Sequence, residues 1–226
     1  MAVTPEQMLD DAYLASRARL IDMKRAQNFG AGNPVKGGTI YLSAADEDGM
    51  MVSFIQSNYM GFGSGCVEPD FGVSLQNRGH AFAVKSDGLN PANLVAPGKR
   101  PFHTIIPAFL TKDGQPVMSY GVMGANMQPQ GHMQTLVRMI DYQQNPQAAC
   151  DAPRWRFNEG LNINVESAMR ADTVQGLQAR GHQLDVIQDS YQDFGSGQFI
   201  WRAGNPKTEG YVVASDSRRD GLAAGF

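Results

Sequence analysis

Charge is scarce in this sequence, and neither sign predominates. Charged residues make up 18% of the 226 residues, and 19 basic against 22 acidic side chains give a net charge of −3. An average domain has roughly a quarter charged residues. Proteins that bind nucleic acid need a basic footprint to neutralise phosphates, and an anionic membrane attracts the same kind of patch. The charge balance therefore argues against nucleic acid and against a membrane surface as partners.

Cysteine is equally scarce. Cys66 and Cys150 are the only two, which is too few for a disulfide scaffold, and they lack metal-ligand spacing. One bridge between them is left open beside the more ordinary interpretation of two buried thiols. The four histidines are scattered without the spacing of a zinc-binding helix: His80, His103, His132 and His182. We therefore expect no metal ion and no cofactor.

Long hydrophobic runs are absent as well. No stretch approaches the ~18 consecutive apolar residues of a membrane-spanning helix. The N-terminal residues MAVTPE lack both the basic and the apolar part of a signal peptide. The default expectation is a cytoplasmic protein, whereas a periplasmic or secreted one would need an export signal upstream of Met1.

What the sequence has is a hydrophobic fraction of 42%, together with 25 glycines and 12 prolines. Such a chain suffices for one domain with a sizeable core, in which many turns separate short strands. Two hairpins are predicted around turns rich in Asp and Gly, pairing 39–45 with 50–56 and 104–111 with 117–122. Helices are predicted at 4–19, from Pro129, from Pro146 and at 170–180, and further strands at 162–166, 183–187, 198–201 and 211–214. Strands in hairpins with a central pair of helices indicate an α+β fold with layered sheets.

Most sequence motifs of catalysis are missing, including the G-x-S-x-G nucleophile elbow and the phosphate-binding loop with its lysine. One arrangement remains, because Thr39 follows two glycines at the mouth of a predicted strand. If the chain is cut before Thr39, the freed α-amine lies beside its own Oγ and can act as its base. The residues alone leave this open, since threonine is also a common strand former.

Several segments along the chain resemble those of one family in the same order and spacing. They are Gly38–Gly49, Gly61–Gly65, Lys99–Pro101, Ala152–Trp155 and Ser215–Gly221. Together they resemble the gamma-glutamyltransferase family of N-terminal-nucleophile hydrolases, over nearly the whole chain but over roughly the C-terminal two-fifths of a family precursor. The resemblance implies an α+β fold that forms part of a four-layer αββα sandwich, with the N-terminal half of the family fold missing.

The resemblance also divides the chain at the bond between Gly38 and Thr39, where the family cleaves itself. Residues 1–38 match the C-terminal tail of the large subunit, which is a helix and a linker to the cleavage site. Residues 39–226 match the small-subunit catalytic part. The remaining large-subunit part is then an expected partner, and without it we expect apolar sheet surface to be exposed.

Catalysis implied by the resemblance needs no cofactor. Thr39 Oγ attacks the carbonyl of a γ-glutamyl amide, which forms an acyl-enzyme that water or an amine acceptor then resolves. Ser57 occupies the position whose hydroxyl supports the nucleophile. The two N–H groups of the oxyanion hole fall on Gly124 and Ala125, and alanine keeps the backbone donor.

The substrate-binding positions depart from the family pattern. Those implied by the resemblance are Asn58, Tyr59, Arg78, His103 and Thr104. The family's acidic partner for the substrate ammonium is replaced by Ala81, while Arg78 suits a carboxylate, unless it is an ordinary surface arginine. A glutathione hydrolase-like enzyme is the main expectation. The alternatives are an acylase for glutaryl-type amides of the same family, or an incomplete, inactive chain that serves as a structural or interaction unit.

Overall fold

The computed structural model describes residue 6 and residues 9–27, 38–85 and 91–226. Its helices are α1 (Asp11–Ala18), α2 (Met127–Ile140), α3 (Pro146–Asp151), α4 (Ala171–Ala179) and α5 (Ser190–Asp193). Its strands are β1 (Gly38–Ala45), β2 (Met51–Tyr59), β3 (Val67–Glu68), β4 (Val73–Ser74), β5 (Ala108–Lys112), β6 (Gln115–Met123), β7 (Trp155–Glu159), β8 (Asn162–Glu166), β9 (Gln183–Ile187), β10 (Ser196–Arg202) and β11 (Tyr211–Ser215). The predicted α+β class is confirmed.

Within the described residues, the strands form four sheets. The largest is antiparallel with the order β11-β10-β6-β5, and the hairpin β1-β2 is a sheet of its own. A third sheet joins β7, β8 and β9, of which β8 and β9 run parallel with α4 as their crossover. The short strands β3 and β4 pair within the glycine-rich region. Both predicted hairpins are therefore present, although β7 was not foreseen.

Strand β6 lies at the centre of three layers. The β1-β2 hairpin packs on one face of the large sheet, and helices α2 and α3 pack on the other. Residues 118–122 are consequently buried without the alternation of a half-exposed strand. Met118, Tyr120 and Val122 form the core with Phe199 of β10. This layering places the start of β1 directly over the sheet.

The contact between the hairpin and β6 is partly polar. Tyr41 is buried, and its hydroxyl lies 2.8 Å from Ser53 Oγ, while Ser43 Oγ lies 2.9 Å from Ser119 Oγ. A Cβ at Gly121 would lie 2.5 Å from the Tyr41 ring, so glycine is needed for this close approach. These contacts fix β1 against β6. They therefore also fix the position of the first residue of β1 whose side chain points inward.

The outer face of the hairpin is apolar and exposed. Ile40, Leu42, Val52 and Phe54 alternate with the inward residues, and each is between 44% and 63% exposed. An uncovered apolar sheet face of this kind was expected from the sequence, and the structure confirms the exposure. In the described part of the chain, no helix is both long enough and apolar enough to cross a membrane.

Several boundaries differ from the prediction, and three of them have a visible cause. Helix α1 begins at Asp11, because the Asp10 carboxylate accepts a hydrogen bond of 2.7 Å from the Tyr13 N–H as its N-cap. The predicted N-cap Thr4 lies outside the described residues. Helix α2 begins at Met127, two residues before Pro129, which a first turn tolerates. Strand β5 begins at 108 instead of 104, because side chains of α2 hold residues 104–106.

Candidate active site

Thr39 lies at an irregularity in the hairpin. Thr39 pairs with Ser57 across β1 and β2, but Gly38 pairs with Tyr59, so Asn58 is an extra residue on the β2 side. Such a bulge bends the strand locally and re-aims the neighbouring side chains. The predicted cleavage bond, between Gly38 and Thr39, therefore lies at the bulge.

The Thr39 hydroxyl has a fixed partner. Its Oγ1 donates a hydrogen bond of 3.0 Å to Ser57 Oγ, which also accepts a 3.0 Å bond from the Tyr59 N–H. Because Ser57 receives both bonds, its oxygen is held where it orients the Thr39 hydroxyl. The structure thus brings together the two residues predicted to serve as nucleophile and support.

Tyr59 has an unusual backbone. Its φ is 77°, in the left-handed region that non-glycine residues seldom adopt. Residues in sparsely populated conformations cost free energy and often accompany functional sites. The Tyr59 ring also lies beneath a cation, since the Arg78 guanidinium carbon is 5.7 Å from the ring centroid. This backbone conformation of Tyr59 was not predicted from the sequence.

Arg78 is buried, with 8% exposure, which rules out the surface arginine that the sequence left open. Its Nε donates to Thr104 Oγ1 at 2.8 Å, and its Nη2 donates to the Ser57 carbonyl at 3.2 Å. A longer bond of 3.3 Å joins Nη1 to Gln76 Oε1. Arginine has five N–H donors, so each Nη nitrogen keeps one beyond these bonds. The arrangement is an anchored cation that contacts the main chain of Ser57, the hydrogen-bond partner of Thr39.

The remaining predicted substrate residues separate into two groups. Thr104 is half-buried and belongs to the Arg78 cluster. Asn58 contributes instead to the glycine-rich region, where its amide lies 3.5 Å from Ser74 Oγ and its carbonyl accepts from the Asn77 N–H. His103 is exposed. Among the described residues, no hydrogen bond joins the side chain of Asn58 to Thr39 or Arg78, and the substrate role of Asn58 and of His103 stays a prediction.

The turn after β6 carries the predicted oxyanion donors. Gly124 has a φ of 134°, and a Cβ there would lie 2.7 Å from the Gly195 Cα, so only glycine fits. Ala125 has a φ of 50°, which glycine would adopt more easily. Among the described residues, neither N–H has a hydrogen-bond partner. Met123, which precedes the turn, lines the same cavity as Thr39.

That cavity has a volume of about 730 Å³, which is within the range of small-molecule sites. Strands β1, β10 and β11 and residues 219–224 form its walls. At its rim, the Arg219 guanidinium carbon stacks 3.5 Å from the Tyr191 ring centroid. Thr39 thus borders two surfaces, namely this cavity and, through Ser57, the Arg78 cluster.

A buried cluster of charges lies behind the oxyanion turn. It consists of two arginines and two carboxylates with side-chain exposures of 6% or less, joined by bonds of 2.6 to 3.1 Å: Arg154, Asp216, Arg218 and Glu166. Arg154 Nη1 also donates to the carbonyls of Phe194 and Gly195. Because Gly195 touches Gly124, the cluster fixes the segment that supports the turn. Three of these residues lie in the motif segments Ala152–Trp155 and Ser215–Gly221, whereas Glu166 lies at the end of β8.

The cluster predicts how stability depends on pH. Burial alone would raise the pKa of Glu166 and of Asp216, but the hydrogen bonds and charges of Arg218 and Arg154 outweigh it and hold both below their ordinary values. Carboxyl groups with depressed pKa stabilise the fold above their unfolded pKa of about 4 and lose that contribution as pH falls further. We expect the urea midpoint to be flat from about pH 7 to 5 and to fall below about pH 4. A midpoint that is unchanged at about pH 3 would contradict this.

The two cysteines are both free, and they differ in environment. Cys150 is buried, as expected, and burial raises its pKa well above that of a free thiol. Cys66 is exposed, so the expectation of two buried thiols is wrong for this residue. The reason is that the glycine-rich region containing Cys66 packs little apolar surface against the core.

Comparison with known proteins agrees with this geometry. The family model described as Gamma-glutamyltranspeptidase matches residues 1–226. The chain is 36% identical over 231 residues to the oxamate amidohydrolase proenzyme of Klebsiella pneumoniae, covering 99% of this chain and 42% of that protein. It is 35% identical over 227 residues to the glutathione hydrolase-like YwrD proenzyme of Bacillus subtilis, covering 98% and 42%.

A solved structure is similar over the whole chain. The cephalosporin acylase of Bacillus halodurans has a TM-score of 0.88 and 48% identity, covering 100% of this chain and 40% of that one. The chain therefore spans about two-fifths of the length of these relatives.

Fold and site together define a class. Two stacked sheets with a hydroxyl residue at the start of an inner strand are the architecture of the N-terminal-nucleophile hydrolases, and the structural match supports this. Within that class, the chain belongs to the gamma-glutamyltranspeptidase family. The resemblance seen in the sequence is thereby confirmed.

Proposed function

We propose that this chain provides the catalytic part of an amide-cleaving enzyme of the glutathione hydrolase type, with Thr39 as its nucleophile. The observation that carries the proposal is the 3.0 Å hydrogen bond from Thr39 Oγ1 to Ser57 Oγ at the bulge. The term proenzyme in the names of two relatives supports activation by cleavage. Cleavage between Gly38 and Thr39 would separate residues 1–38 from the catalytic residues 39–226.

Maturation uses the same hydroxyl as catalysis. Thr39 Oγ attacks the carbonyl carbon of Gly38, and the C–N bond between the two residues breaks as the amide nitrogen takes up a proton. The product is an ester between Gly38 and Thr39 Oγ. The Thr39 nitrogen is then already a free α-amine, and water hydrolyses the ester, which releases the Gly38 carboxylate and restores the Thr39 hydroxyl. Only then does Thr39 have both a free hydroxyl and a basic nitrogen beside it.

Catalysis then proceeds through an acyl-enzyme. The Thr39 amine accepts the hydroxyl proton while Oγ attacks the substrate amide, and the proton passes to the leaving amine. The N–H groups of Gly124 and Ala125 would stabilise the oxyanion, and removal of one such donor typically costs about 3 kcal/mol. Water, or an amine in transpeptidation, attacks the ester and restores the enzyme.

The acyl group is proposed to carry a carboxylate that binds Arg78. The guanidinium is buried and anchored, and it retains an N–H on each Nη nitrogen. A γ-glutamyl group also needs a partner for its ammonium, and Ala81 offers none. A glutaryl-type amide needs only the carboxylate site, and so does oxamate, the compound in the name of one relative. This favours glutaryl-type acylase activity as the second candidate.

The partner is proposed to be the large-subunit part of the family fold. Its place is the exposed apolar face of the β1-β2 hairpin, which contains Ile40, Leu42, Val52 and Phe54. A helical layer there would complete the four layers implied by the resemblance and would remove this apolar surface from water. Activity measurements therefore require the chain together with that part.

Activity on matched anilides tests the substrate assignment. We expect release of aniline from both γ-glutamyl and glutaryl anilide by the complete protein. Glutaryl turnover equal to or above γ-glutamyl turnover would reject strict γ-glutamyl specificity. Failure to release aniline from either compound would contradict the proposed function.

Substitution of Arg78 should affect only acyl groups with a carboxylate. For Arg78→Gln we expect kcat/KM for glutaryl anilide to fall roughly 10- to 100-fold, because a charge-assisted hydrogen bond is worth about 1.5–3 kcal/mol. Butyryl anilide lacks the carboxylate and serves as the control, with an expected change below about 3-fold. An equal loss on both anilides would show that Arg78 only supports the structure.

A further inference from the structure

Three glutamines of helix α2 use their side chains in the same way. Gln130 Oε1 accepts from the Phe157 N–H at 2.7 Å, and its Nε2 donates to the Phe157 carbonyl at 3.3 Å. Gln134 does the same with Trp155, at 3.1 and 2.8 Å. Each amide thus pairs with the main chain of β7 as a neighbouring strand would. These two glutamines hold a strand that lies away from the Thr39 region.

Gln128 makes the same kind of pair with a different segment. Its Oε1 accepts from the Ile106 N–H at 3.2 Å, and its Nε2 donates to the Thr104 carbonyl at 2.9 Å. Gln128 is 1% exposed, so both bonds are shielded from water. One turn later, His132 Nε2 lies 3.1 Å from the Ile106 carbonyl. Residues 104–106 are therefore held by a side chain although they belong to no strand.

The held segment belongs to the candidate substrate site. The Thr104 hydroxyl accepts the Nε bond of Arg78, so the position of residues 104–106 sets the position of the guanidinium. The main chain of Gln128 has a second contact, because its N–H donates to the Ala125 carbonyl at 3.1 Å. Gln128 thus contacts the oxyanion turn through its main chain and the Arg78 cluster through its side chain.

From this geometry we infer that Gln128 is a positioning residue that sets the distance between the carboxylate site at Arg78 and the oxyanion turn at Gly124 and Ala125. The inference rests on the proposed function. An acyl group with a terminal carboxylate must span that distance, so a fixed distance selects the length of the acyl chain. Misplacement of reacting groups by about 1 Å can cost up to 10²-fold in rate.

The test compares Gln128→Met with Gln134→Met in the complete protein. Methionine has a volume similar to that of glutamine but makes neither hydrogen bond. Gln134→Met loses an equivalent pair of bonds on the same helix. Succinyl, glutaryl and adipyl anilides differ only by one methylene at each step. In the parent we expect kcat/KM to be about 10-fold or more higher for one acyl length than for the other two. In Gln128→Met we expect this difference to narrow to about 3-fold or less.

Controls separate positioning from simple loss of stability. Gln134→Met should keep the parent's length preference, and it should keep the parent's activity on butyryl anilide to within about 3-fold. Hydrogen exchange should accelerate at the Ile106 amide in Gln128→Met and at the Trp155 amide in Gln134→Met. An unchanged length preference in Gln128→Met, or an equal change in Gln134→Met, would overturn the inference.

The exchange measurement also distinguishes two failures. A parent protein that cleaves none of the anilides would overturn the proposed function. An Ile106 amide that exchanges at the parent's rate in Gln128→Met would show, without any substrate, that Gln128 does not hold the segment. Faster exchange confined to residues 104–106 would support the contact on which the inference depends.

Discussion

The Thr39→Ala variant is expected to remain a single uncut chain of 24.6 kDa and to show no amidase activity. Alanine has no Oγ, so neither the attack on the Gly38 carbonyl nor the formation of an acyl-enzyme can take place. Because maturation and catalysis use the same atom, one substitution removes both. Intact mass after co-expression with the large-subunit part of the family fold, followed by an anilide assay, measures the two losses separately.

Thr39→Ser is the matched control for this variant. Serine keeps the hydroxyl and can keep the bond to Ser57 Oγ, so we expect cleavage before residue 39 and measurable, reduced activity. Mass spectrometry should then show one piece that ends at Gly38 and one that begins at residue 39. A parent chain that stays intact even with the large-subunit part of the family fold present would refute self-maturation. It would favour the alternative of a structural or interaction unit.

The second large effect is expected for Asp216→Asn, which removes a charge from the interior. Asp216 is 1% exposed, and its carboxylate accepts bonds of 2.7 Å from Arg154 Nη2, 2.8 Å from the Gly197 N–H and 3.1 Å from Arg218 Nη1. Without the charge, the Arg154 guanidinium stays buried with no carboxylate among its described partners, which are otherwise carbonyl oxygens. Breaking a buried pair in this way typically costs about 3–5 kcal/mol.

Urea denaturation measures this loss as a lower midpoint at unchanged slope. Asp172→Asn is the control, because the Arg170–Asp172 pair has the same chemistry but is solvent-exposed. Solvent screens such pairs, so the midpoint should stay near that of the parent. If Asp216→Asn shifted the midpoint no more than this control, the buried cluster would not stabilise the fold. The same loss should also loosen Gly195 behind Gly124.

Local structure was predictable where short-range chemistry determines it. The turn at 46–49 closes the first hairpin, where the Asp46 carboxylate accepts from the N–H groups of Asp48 and Met50 at 3.0 and 2.9 Å. Strands β8 and β9 have the predicted bounds, since alternating apolar residues and a preceding helix define them. β7 was missed in the sequence; it pairs with β8, and Gln130 and Gln134, which lie more than twenty residues earlier, also bond its main chain.

The candidate site was predictable in its residue types more than in its arrangement. The resemblance identified Thr39, Ser57 and Arg78, and the hairpin alone brings the first two together. Arg78 meets Thr104 only in the folded chain, because 26 residues separate them. Asn58 and His103 were assigned to the substrate by position, and this role stays a prediction; the Asn58 amide lies near Ser74 of β4, and His103 is exposed. The role of Gln128 followed from its contacts alone.

By itself, the sequence determined the α+β class, the hairpin that presents Thr39 and the family to which the chain belongs. These depend on turn residues, on the alternation of apolar side chains and on motif order, all of which are written along the chain. The burial of Arg78 and the need for glycine at Gly124 are evident only from the folded chain. Both facts arise from contacts between segments far apart in sequence, and packing alone determines which distant groups come into contact.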